Sequence, residues 1–304
     1  VLRDVENVDL SVNLFGHNLK MPVLLAPIGS MQDFVDGAGT APTLAASEFG
    51  VMHMISSTCM PGLVEVAKSV NYPKLFQLYV RGDKNWVDDN IKSAMDHNYA
   101  GICLTVDLDA YGRRERDLAK RYRTTSRQSA SGFEYQMRFS WKDIDRIKSY
   151  CNLPIIIKGI ATKEDALLAI EHGVDVVYVS NHGGRQLDYG LGGLNVLPEI
   201  VDTIGDNAKV IYDGGIMRGT DVVKAIALGA DCVGIGRLQG FAAAAGGSKA
   251  IVRMLELLEI EILTTLRLLG VNSFSQLDKS YLSKDSSFGS LNVLSPFPLI
   301  DEGY

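Results

Sequence analysis

A histidine and an arginine, His182 and Arg185, stand three residues apart behind a short apolar run at 175–181, and six further apolar runs end in side chains able to do chemistry. Those ends carry Ser56, Gln77, Tyr79, Thr105, Asp107, Lys158, Ser180, Asp213 and Arg237. An isolated histidine after a strand is ordinarily structural. Here a histidine, a lysine, two aspartates and several arginines recur at one relative position, and a cavity holding them together suits acid–base chemistry on an anionic substrate. Glycines add a second signal. Asp213-Gly214-Gly215 and Gly234-x-Gly236-Arg237 offer backbone amides and a guanidinium of the kind that holds phosphate. A dinucleotide fingerprint does not follow the first run, and P-loop spacing is absent.

The elements that position these groups are read from the runs themselves, at 23–29, 52–57, 75–80, 101–107, 154–159, 175–181, 209–215 and 231–237. Each is β-branched and continuous rather than alternating, which calls for burial on both faces, and amphipathic stretches lie between them. Eight βα units predict an α/β fold, a closed (β/α)8 TIM barrel, better than an open doubly wound sheet. In such a barrel the strand C-termini converge on one mouth, so the reactive side chains listed above should meet there. A short hairpin is expected over 1–22, a long mobile loop over 116–139, and an extended tail over 278–304 with an apolar tip at 294–300. The whole of 1–304 is expected to be one domain.

Composition narrows the function. With 30 Lys+Arg against 36 Asp+Glu the net charge is −6, and the basic stretch 113–123 is interrupted by acids, so no nucleic-acid partner is expected. No apolar run spans a membrane and no signal-peptide core opens the chain, which points to a cytoplasmic protein. The 4 cysteines are isolated, which favours reduced thiols, and no metal site is expected.

The segment Ser180-Asn181-His182-Gly183-Gly184-Arg185-Gln186-Leu187-Asp188 resembles the signature of the FMN-dependent 2-hydroxy-acid oxidase and dehydrogenase family, whose members act on glycolate, lactate or mandelate. The likeness continues through Phe76-Gln77-Leu78-Tyr79, Leu104-Thr105-Val106-Asp107, Gly112-Arg113-Arg114, Ile157-Lys158-Gly159, Asp213-Gly214-Gly215 and Gly236-Arg237. It implies FMN as cofactor, a small 2-hydroxy carboxylate of (S) configuration as substrate, a 2-keto acid as product, and oxygen or a quinone or cytochrome as electron acceptor. By the same resemblance His182 is the catalytic base, Asp107 its partner, Arg185 and Arg114 the carboxylate clamp, and Tyr79 a hydrogen-bonding group for substrate. Lys158 would sit beside the flavin where negative charge gathers. The backbone of Pro27, Ile28 and Gly29 and the side chains of Ser56, Gln77, Thr105 and Ser180 would surround the ring. Asp213 would meet the ribityl chain, with Gly214, Gly215, Gly236 and Arg237 toward the phosphate. A homo-oligomer, a tetramer by analogy, is also implied.

Three positions depart from the family pattern. Met217 stands where many members place a phosphate-binding arginine, which shifts that charge onto Arg237 and Arg218. Thr58 stands where a tryptophan is common in oxidases, and Gly29 where alanine is, and both changes would enlarge the cavity. Two other readings fit parts of the pattern: a Schiff-base lyase using Lys158 as nucleophile, and a catalytically impaired flavin-binding scaffold.

Overall fold

The computed structural model describes residues 2–283. The tail expected at 278–304 therefore lies mostly outside the described residues, as does its apolar tip. Only a single 3-10 turn, Lys279–Tyr281, is seen there, opened by Asp278 accepting from the Ser280 amide.

A two-stranded antiparallel hairpin, β1 (Val12–Leu14) and β2 (His17–Leu19), precedes a closed parallel barrel. The barrel strands are β3 (Val23–Leu25), β4 (Met52–Ser56), β5 (Leu75–Leu78), β6 (Gly101–Thr105), β7 (Ile155–Ile160), β8 (Val176–Val179), β9 (Lys209–Asp213) and β10 (Cys232–Ile235). They follow one another in chain order, and β10 closes on β3 through Val233 opposite Val23. This is the (β/α)8 barrel expected from the eight apolar runs. Helices between strands start where short polar side chains satisfy free amides. Asp83 accepts from Trp86 N at the head of Lys84–Asp96, Thr162 from Asp165 N at the head of Lys163–Glu171, and Ser140 forms a capping box with Asp143.

Side chains alternate across each strand, and that parity decides where the chemistry lies. Leu24, Met52, Met54, Leu75, Cys103, Ile156, Val176, Ile211 and Cys232 point inward and pack with Leu14 and Leu19 of the hairpin, which stoppers the lower end of the barrel. Their neighbours of opposite parity, among them Ile55, Phe76, Ile102, Ile157, Val177 and Val233, belong to the larger cluster beneath the helices. Ser56, Gln77, Thr105, Lys158, Ser180 and Asp213 share the inward parity of the stopper, two or four residues further up. They are thus held inside the barrel by the same register that buries its apolar base.

Two elements differ from expectation. Segment 116–139 is built of short helices, Glu115–Ala119, Thr125–Gln128 and Phe133–Arg138, instead of a structureless loop. Its anchor is Gln136, buried, which accepts from Val80 N at 2.8 Å and donates to Thr105 O at 3.2 Å, so one amide satisfies two strand ends. After β10 the chain runs as one long helical element, Arg237–Leu269, kinked at Gly246 and Gly247. It packs closely on Gly219–Ala227. A Cβ at Gly219 would stand 2.5 Å from Glu261 Cβ and 2.8 Å from Leu258 O. Gly219→Ala is accordingly expected to cost about 1–3 kcal/mol, as overpacking does. Urea unfolding would check this, and an unchanged midpoint would mean that the two helices separate freely.

Candidate active site

Above the stopper, Lys158 Nζ donates to Ser180 Oγ at 2.8 Å and lies 3.2 Å from Asp213 Oδ2, while the Ser180 hydroxyl donates to Asp213 Oδ1 at 2.6 Å. Burial alone would pull the lysine pKa down. The charges of Asp213 and Asp107 outweigh it and hold the ammonium above its ordinary value. On the neighbouring strands Ser56 Oγ donates to Gln77 Oε1 at 2.8 Å, which leaves Gln77 Nε2 buried and without a partner among the described residues. Thr105 Oγ1 is likewise buried and unpartnered.

His182 belongs to a tight turn after β8. Its φ is 57°, followed by Gly183 at 65° and Gly184 at 73°, a left-handed run that the two glycines make possible. The Ser180 hydroxyl accepts from His182 N at 3.1 Å and fixes the turn. The ring then lies between two groups. Nδ1 is 3.0 Å and 3.1 Å from the two oxygens of Asp107, and Nε2 is 3.4 Å from the Tyr79 hydroxyl. A carboxylate accepts only from N–H, so Nδ1 carries the proton and Nε2 is the basic nitrogen. Burial would push the Asp107 carboxyl up, but the His182 hydrogen bond and the Lys158 charge hold it below the ordinary range. Burial raises the Tyr79 phenol, which stays protonated.

A cavity of about 520 Å³ opens over these groups. Pro27, Ile28, Gly29, Tyr79, Lys158, His182, Arg185, Arg114, Asp213, Gly214, Gly215, Gly236 and Arg237 all reach its wall. Ser56, Gln77, Thr105, Ser180 and Asp107 do not; they form the buried layer that orients the wall. Arg114 is braced by Gln186. Its Oε1 accepts from Arg114 Nη2 at 3.2 Å, and its Nε2 donates to Asp107 O at 2.5 Å. Sequence reasoning missed Gln186 in this role, although it lies within the motif at 180–188. It also missed Arg127, Ser126, Thr124, Tyr122 and Tyr111, which join the wall from segment 109–128. The basic stretch leading into that segment reads as a solvated face, and the only available signal is its position after a strand end.

A family model described as FMN-dependent dehydrogenase matches residues 1–284. The chain belongs to that family. It is an FMN-dependent 2-hydroxy-acid oxidoreductase, with FMN as its cofactor. A curated relative, glycolate oxidase 3 of Arabidopsis thaliana, is 35% identical over 308 residues, covering 94% of this chain and 83% of the relative. Among solved structures, a mandelate oxidase variant with (S)-mandelic acid superposes with a TM-score of 0.85 at 33% identity, over 90% of this chain and 82% of that one. A second mandelate oxidase structure, which carries an FMN adduct, gives 0.83 at the same 33% identity over 90% of this chain and 83% of that one.

The residues of this FMN-dependent oxidoreductase fit the cofactor. Gln77 Nε2 and Thr105 Oγ1, a donor and a hydroxyl buried beneath the wall without partners, with Thr105 opposite Lys158 on the next strand, need polar partners, and a polar heterocyclic edge seated on the wall meets that need. Gly215 and Gly236 border open space, with no atom within 4 Å of where a Cβ would stand, and Arg237 opens the helix beyond β10, an arrangement suited to a phosphate. Arg218 does not share that duty. Its Nε and Nη2 both lie 2.7 Å from Glu261 Oε1, and it is absent from the cavity wall, because the long helix places an acid opposite it. Met217 does reach the wall, and of Arg218 and Arg237 only Arg237 does. Gly29 and Thr58 prove to be coupled. A Cβ on Gly29 would meet the Thr58 hydroxyl, so the threonine already fills part of the space that the glycine leaves. Among the described residues no helix is long and apolar enough to cross a membrane.

Proposed function

We propose that the enzyme oxidises an (S)-2-hydroxy acid to its 2-keto acid and passes the electrons to oxygen. The observation that carries this reading is His182, tethered through Nδ1 to Asp107 with Nε2 left basic, on the wall of a cavity that also presents Arg114 and Arg185. Planar guanidiniums offer paired donors to a carboxylate, so these two orient the acid. Nε2 takes a proton from the substrate as two electrons leave its α-carbon, and Asp107 stabilises the imidazolium that results. Tyr79 donates its hydroxyl to the substrate oxygen. FMN supplies the two-electron acceptor, and Lys158 offsets the negative charge that this acceptance brings. Oxygen as final acceptor is supported by the relatives, which are named oxidases.

A Schiff-base lyase needs a neutral lysine amine. Lys158 is instead held as an ammonium by Asp213 and Asp107, and it leaves His182 and the arginines without a role. The deciding experiment is anaerobic mixing of the FMN-loaded enzyme with a panel of 2-hydroxy acids. The visible flavin bands are expected to bleach and to return when oxygen is admitted. No bleaching with any acid sinks the reading. Bleaching reversed only by an artificial acceptor removes oxygen and leaves a quinone or cytochrome.

A further inference from the structure

Three guanidiniums, those of Arg114, Arg127 and Arg185, stand on one part of the cavity wall. Arg114 and Arg127 lie over the same Tyr111 ring, their ζ carbons 5.3 Å and 4.9 Å from its centroid. The acid among them is Asp117, whose Oδ2 is 3.6 Å from Arg185 Nη2 and 3.9 Å from Arg127 Nη1. One carboxylate is thus shared by two cations, each at the outer edge of ion-pair distance. Of the carboxylates on the wall itself, Asp213 holds Lys158 and Asp33 accepts from Thr125 N, while Asp107, beneath the wall, holds His182. Mutual repulsion is visible at Arg114, whose pKa is lowered by burial first and then by Arg185 and Arg127.

Charge arithmetic then has a remainder. Within the cluster around Tyr111, three arginines less Asp117 leave two positive charges, and a substrate α-carboxylate held by Arg114 and Arg185 removes one. The Arg127 side chain is 20% exposed, so its excess charge is only partly relieved by water. Thr124, also on the wall, adds a hydroxyl donor on the same segment. A further anionic group on the ligand would satisfy all three.

We infer that Arg127 selects a 2-hydroxy acid bearing a second carboxylate, which the guanidinium of Arg127 receives while Arg114 and Arg185 hold the first. This rests on the function proposed above and names its substrate class. The pair of probes is (S)-2-hydroxyglutarate and (S)-2-hydroxypentanoate, which share a five-carbon chain and differ in the terminal charge. The FMN-loaded enzyme is expected to favour the dicarboxylate in kcat/KM by roughly 10- to 100-fold, the worth of one charge-assisted hydrogen bond. Arg127→Gln should collapse that ratio toward unity, mainly through KM, and Arg127→Lys should restore part of it. Arg114→Gln should slow both acids and leave the ratio standing. Equilibrium titration with the products, 2-oxoglutarate against 2-oxopentanoate, should show the same preference in Kd without turnover. Equal use of both acids by the unaltered enzyme, or a ratio untouched by Arg127→Gln, overturns the inference while leaving the parent function intact. Failure of every 2-hydroxy acid to bleach the flavin overturns both.

Discussion

His182→Asn is expected to slow flavin reduction by a 2-hydroxy acid by about 10²- to 10⁴-fold, the usual worth of a positioned general base. Asparagine is the informative replacement, because position 182 has φ 57° and asparagine tolerates that left-handed backbone better than most residues. The turn, its anchor from His182 N to Ser180 Oγ and the neighbouring Lys158 network should all survive, so FMN binding should too. Substrate affinity should change far less than rate, since the carboxylate clamp is untouched. Rapid-scan reduction under anaerobic conditions separates the two quantities. A loss below about tenfold would mean that some other group removes the proton.

The same dyad sets a direction for pH. The Asp107 carboxyl is held below its ordinary value in the folded enzyme, so its support of the imidazolium is present above the unfolded carboxylate pKa. That support is lost only as pH falls through the depressed folded value. Asp107 therefore stays ionised across neutral and mildly acidic solution, and a loss of rate near neutrality would have to come from another group.

Much of this architecture is legible in the chain because strand residues buried on both faces must be apolar, and the polar ends of such runs must lie at a mouth. His182, Arg185, Lys158 and Asp107 follow from that rule together with the motif at 180–188. Strand limits are overestimated, as at 175–181 against the observed Val176–Val179, since inward-facing residues remain useful to the site after the hydrogen-bonded ladder has ended. The order of segment 116–139 was not legible. Segment 116–139 is polar, and its order comes from Gln136 bridging Val80 and Thr105, a contact between parts of the chain that no local pattern encodes. Arg127 was hidden for the same reason. The fate of Arg218 depended on Glu261, 43 residues away on the long helix, and no periodicity links the two.

Lys158 and Asp213 were expected to serve different parts of the cofactor, yet they form a buried pair, 5% and 13% exposed at their side chains, and this pairing supports a strong prediction. Lys158→Met leaves the Asp213 carboxylate with the Ser180 hydroxyl but without its counter-ion, and breaking such a pair from one side typically costs about 3–5 kcal/mol. The double variant Lys158→Met/Asp213→Asn removes the stranded charge and should recover most of that stability. It should not recover flavin reduction, which is expected to remain about 10²- to 10³-fold slow, as when one preorganised electrostatic partner is deleted. The split between the two readouts distinguishes a catalytic cation from a structural one: a double variant that regains both stability and rate would make Lys158 a packing residue. Because the folded pKa of Lys158 is raised, its stabilising contribution is complete below the unfolded value of about 10.4 and is lost only as pH rises through the folded value. The ammonium is therefore a fixed charge throughout neutral solution, and Lys158 and His182 divide the reaction between a constant field and a moving proton.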